Sequence, residues 1–121
     1  MLNNYKKITK KEAREILNGK KVLRTLCIWI DKNNKDANLK VVDNLEKNPY
    51  HGVFINDNKN NANITVVKSN HIEFIKKDNS KSYLYHEKGE QWYINNNTLA
   101  LLVFNDDNEL ITILVYDIIR D

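Results

Sequence analysis

A chain of 121 residues, 41% hydrophobic and 29% charged, has the length of one domain and enough apolar residues for one core. It excludes a membrane-spanning helix, because no stretch approaches the ~20 apolar residues that such a span needs, and its one cysteine, Cys27, excludes an intramolecular disulfide. The net charge of +3 is uneven: residues 1–24 hold eight Lys/Arg against two acids, and residues 61–121 hold six against nine.

The chain opens Met-Leu-Asn-Asn-Tyr-Lys-Lys, without an apolar signal region, which predicts a protein of a reducing cytoplasm. Thr9-Lys10-Lys11-Glu12 fits a capping box, in which Thr9 bonds the Glu12 N–H and Glu12 reaches back to that of Thr9. Ala13, Ile16 and Leu17 follow at helical spacing. Asn18-Gly19 ends the helix, with Gly19 suited to the left-handed position past its end. A helix of about nine residues is not stable alone and must dock on a sheet.

Lys21–Ile30 reads as a strand, apolar on both faces toward its end. Asp31–Asn38 reads as a polar loop. Leu39–Lys47 fits a second short helix through Leu39, Val42 and Leu45, although Val41-Val42 also suits a strand. The rest reads as strands joined by turns: His51–Ile55, Ile64–Lys68, His71–Lys76, Tyr83–Glu87, Gln91–Ile94, Thr98–Phe104 and Leu110–Ile118. Together these predict one α+β domain, a short N-terminal helix packed on a mostly antiparallel, meander-like sheet.

Twenty residues are Asn, and Lys, Ile and Tyr are also frequent. These residues share AT-rich codons, which points to a low-GC genome such as a bacterium or its phage. The Asn residues sit mainly between the apolar runs, as turn formers do.

The most informative local feature is Lys88-Gly89. As the turn of a hairpin it would pair Tyr85 with Trp92 and Tyr83 with Ile94, giving an aromatic face of Tyr83, Tyr85 and Trp92. Such a face serves as core, as a protein interface or as a platform for a nucleotide base. The second candidate surface is basic: Lys10, Lys11 and Arg14 on the helix, then Lys20, Lys21 and Arg24. Only three residues are Arg, so base or phosphate recognition by forked guanidinium groups has little support.

Catalytic motifs are absent from the sequence. With three glycines there is no Gly-rich phosphate cradle, and no G-x-S-x-G occurs. His51, His71 and His86 match no zinc spacing, so no metal and no cofactor are expected. His71 and Glu73 would share a strand face. Cys27 lies in an apolar strand, where a thiol is poorly reactive. Asp106-Asp107 reads as a solvated turn. These features predict a binding protein rather than an enzyme.

Thr9-Lys10-Lys11-Glu12-Ala13, Leu17, Gly19-Lys20-Lys21-Val22 and Arg24 resemble the opening of short phage-encoded proteins. Some proteins of that look counter bacterial defence, as anti-CRISPR proteins or as sponges for nucleotide immune signals. The resemblance spans residues 9–24 and carries over no pocket residue. It implies a small phage or mobile-element protein that inhibits a host defence component by direct binding in the bacterial cytoplasm. A nucleotide-binding sponge and a basic nucleic-acid binder are the alternatives. A homodimer is expected, because Leu26–Ile30 and Leu110–Ile119 offer more apolar surface than one short helix covers.

Overall fold

The computed structural model describes residues 4–29 and 62–119. The predicted loop at 31–38, the second helix at 39–47 and the strand at 51–55 lie outside these residues.

Strand β1 (Lys6–Ile8) precedes helix α1 (Lys10–Leu17). The capping box is present: Thr9 accepts from the Glu12 N–H at 3.0 Å, and Glu12 accepts from the Thr9 N–H at 3.1 Å. Ala13 and Leu17 are fully buried, so the docked stripe is the predicted one. Gly19 takes φ +75, a region that costs other residues roughly 1–2 kcal/mol. Its N–H donates to the Thr65 carbonyl at 2.9 Å, and the Thr65 hydroxyl lies against the Leu17 and Lys20 carbonyls. The end of the helix is therefore fastened to the sheet as well as to itself. No helix among the described residues is long and apolar enough to cross a membrane.

Seven further strands follow among the described residues: β2 (Lys21–Trp29), β3 (Asn63–Val67), β4 (His71–Ile75), β5 (Lys81–Tyr85), β6 (Glu90–Asn95), β7 (Thr98–Phe104) and β8 (Leu110–Ile118). All pairings are antiparallel, and the order is β1-β6-β7-β8-β2-β3-β4-β5. Two meanders, β3–β5 and β6–β8, are thus joined through β2. Asn79, Asn96 and Asn108 hold positive φ in the turns after β4, β6 and β7. Three of the many asparagines therefore sit where a left-handed residue is needed and Asn tolerates it.

The sheet formed by the described strands is open and strongly curled. Among the described strands, β1 and β5 lie at its two ends and do not pair. Strands β4 and β8 stand three places apart, roughly 14 Å in a flat sheet, yet the rings of Phe74 and Tyr116 stack at 5.3 Å. The concave side closes on α1 to form the main core. Here Ile8, Ala13, Leu17, Val22, Ile72, Phe74, Trp92 and Tyr116 meet. A second cluster, Ala100, Leu102, Ile113 and Val115, lies on the other side of β7 and β8. Burial on both faces explains why these two strands read as continuous apolar runs.

Two expectations change here. Strands β5 and β6 do not form the predicted hairpin. Tyr85 pairs with His71, and Trp92 pairs with Leu101 and Ile8. Residues 86–89 instead cross from one meander to the other. Gly89 serves a close approach: its carbonyl accepts from the Phe104 N–H at 2.9 Å, and a Cβ there would stand 2.0 Å from the Phe104 oxygen. The closing strand β8 is not a spare apolar surface either. It lies between β7 and β2, with Thr112–Tyr116 buried within one chain, so it offers no reason for dimerisation.

Candidate functional site

The convex side of β3–β5 carries the candidate site. Thr65, Val67, Ile72, Phe74 and Leu84 point inward, so their alternates point out. The register sets Ile64, Ile75 and Lys81 abreast, then Val66, Glu73 and Tyr83, then His71 and Tyr85. Ile64, Tyr83 and Tyr85 are 42%, 49% and 61% exposed, and they are the large hydrophobic side chains most open to solvent among the described residues. All three fall on this one surface.

The aromatic edge is ordered by ring contacts. His71 meets Tyr83 edge-on at 5.2 Å and Tyr85 at 5.5 Å, and the two tyrosines lie 6.1 Å apart. In the middle row, Glu73 bonds His71 Nε2 at 3.2 Å through one oxygen and faces Lys81 Nζ at 3.5 Å through the other. The His71 bond, then Lys81 and Lys68, hold the Glu73 carboxyl below its ordinary range. The surface thus combines an apolar corner, a charged centre and an aromatic edge. That composition suits recognition.

Tyr83 and Tyr85 are brought together here, but Trp92 is not. It is fully buried on the concave side near Tyr116, with ring centroids 6.5 Å apart. Its indole N–H donates to Glu90 at 2.8 Å. Ile64 and His71 join the face only through the sheet register, and strand alternation alone does not supply that.

The predicted basic surface is divided. Arg14 turns inward and donates to Glu90 Oε1 at 2.9 Å and to His86 Nδ1 at 2.6 Å. Lys10 donates to the Glu87 carbonyl at 2.9 Å. Lys11, Lys20 and Arg24 are exposed, and Lys21 is half-buried. The Glu90 side chain is only 2% exposed and accepts from Arg14, Trp92 and the Glu87 N–H, the last at 2.8 Å. Burial pushes its pKa up. The Glu87 and Trp92 N–H groups, with Arg14 and Lys10, outweigh that and hold the carboxyl below its ordinary range. This cluster ties α1 to the β5–β6 crossing, so Arg14 and Lys10 serve the fold.

A shallow groove of about 400 Å³ runs between the start of α1 and β6, lined by Lys7, Lys10, Glu12, Gln91 and Trp92 among others. Its capping groups are already bonded to each other. Among the described residues no group of three or more His, Cys, Asp or Glu side chains gathers where a metal ion could bind. Comparison with protein families, with curated proteins and with solved structures finds no match to this chain.

Proposed function

We propose that the chain is a non-enzymatic binding protein that engages a protein partner through the convex face of β3–β5. The observation that carries this reading is the gathering of Ile64, Tyr83 and Tyr85 on one face around the Glu73–Lys81 pair. Soluble chains seldom leave large apolar side chains together in water without a use for them. Tyrosine is among the residue types enriched in the few positions that carry an interface's energy. The abundance of Asn, Lys, Ile and Tyr, whose codons are AT-rich, and the resemblance of residues 9–24 to phage proteins favour a bacterial defence protein as the target.

The test is a pull-down from bacterial lysate expressing defence systems, using the wild type and a Tyr83→Ser/Tyr85→Ser variant, each with and without nuclease. A stoichiometric partner that survives nuclease and is lost with the variant supports the reading. A partner held equally by both proteins removes this face from the proposal. The Tyr83–Tyr85–His71 ring cluster also favours a second reading, stacking of a nucleotide base. A rise in wild-type Tm with cyclic or linear nucleotides, absent in the variant, would select that reading.

A further inference from the structure

We infer that β5 is a self-pairing edge through which two copies of this chain join antiparallel, fusing their convex faces into one surface. The backbone of β5 is divided by its pairing with β4. The Lys76 N–H donates to the Ser80 carbonyl, and the His86 N–H donates to the Asn70 carbonyl. In an antiparallel ladder this phase turns Ser82 and Leu84 toward β4 and turns the N–H and C=O of Lys81, Tyr83 and Tyr85 away from it. No described strand pairs with that side of β5. The residues with outward backbone groups are therefore also the ones whose side chains lie on the convex face.

Natural edge strands are guarded against pairing by proline, bulges or charges. Strand β5 contains no proline, and its register with β4 runs without a bulge. Its one charge is Lys81, at one end. Reversed against itself about Tyr83, the strand sets Tyr83 opposite its twin and Lys81 opposite Tyr85 of the second copy. Each of these pairs can exchange two backbone hydrogen bonds. No like charges are opposed, the tyrosines form a cross-strand aromatic pair, and each ammonium lies beside an aromatic ring. A foreign strand would have to supply this complementarity, whereas a second copy carries it already. Pairing confined to a five-residue strand gives a small interface and hence a weak, concentration-dependent dimer.

The test is sedimentation of the purified chain alone, from about 5 to about 500 µM, so its outcome does not depend on whether a foreign partner exists. A reversible monomer–dimer equilibrium is expected. Tyr83→Pro removes an outward N–H and no bond to β4, a position where an edge strand tolerates proline. It should stay monomeric with an unchanged circular dichroism spectrum. The decisive pair is Tyr85→Glu and Tyr85→Lys, which set an opposite or a like charge across from Lys81 of the second copy. The first should tighten and the second weaken the dimer by about fivefold each at low salt. A wild type that stays monomeric throughout overturns the inference, and so does a dimer indifferent to the charge at position 85.

Discussion

Replacing Glu90 by Gln tests what fastens the helix to the crossing between the two meanders. The carboxylate is 2% exposed and accepts from Arg14, the Trp92 indole and the Glu87 N–H. An amide of the same shape keeps one acceptor for Arg14 and Trp92. It turns its NH₂ toward the Glu87 N–H, so donor faces donor, and the Arg14 charge loses its counter-ion. Arg14 is itself only 13% exposed, so water replaces little of what is lost. Breaking such a pair by removing one partner costs about 3–5 kcal/mol, and the retained acceptor brings the expectation to about 3 kcal/mol. Against a total stability of roughly 5–15 kcal/mol this lowers Tm by about 12 °C. Urea melts at pH 7 should show a lower midpoint at an unchanged slope. A double-mutant cycle with Arg14→Met should show that the two losses are not additive. A Glu90→Gln loss below about 1 kcal/mol, or full additivity with Arg14→Met, would refute the anchor.

Acid should find the same cluster. The folded Glu90 carboxyl lies below its ordinary value of 4.5, so its contribution is complete above that pH and is lost as pH falls through the lower folded value. Wild-type Tm should drop more steeply between about pH 5 and pH 3 than that of Glu90→Gln, and equal slopes would exclude Glu90 as the source. The glycines separate strain from collision. Gly19→Ala meets nothing within 4 Å and suffers only from φ +75, whereas Gly89→Ala drives a Cβ to 2.0 Å from a backbone oxygen of β7. Thermal melts should place the first about 1 kcal/mol below wild type and the second well below that, and the reverse order would contradict the close approach.

Local chemistry was readable from residues alone. The capping box at Thr9 and Glu12, the stop at Gly19 and the bounds of β7 and β8 all follow from near neighbours in sequence. The hairpin at Lys88-Gly89 failed because a Gly between two aromatic strands fits a tight turn and a close backbone approach equally well. Only the position of Phe104 decides between them. Strand β1 has no signature in the sequence because it has three residues and only Ile8 is buried, too few to show alternation. Tyr83 and Tyr85 stand out in the sequence by their type, but β4 sets their company. The pairing of β5 with β4 brought His71 beside them and left Trp92 on the far side of the sheet.

The strand order also bears on how the chain is made. Strand β2 precedes both meanders in the chain, yet its long neighbour is β8, with Val22 against Ile118 and Trp29 against Thr112. Until β8 emerges, the one pairing of β2 among the described strands is the two-residue contact with β3. The two meanders can form as local units, but the seam between β2 and β8 has to wait for β8 and joins strands more than 80 residues apart in sequence. Such long-range pairing folds slowly. A nascent chain that stops before β8 would expose the apolar edges of β7 and β2, a form that quality-control proteases would meet before any partner does.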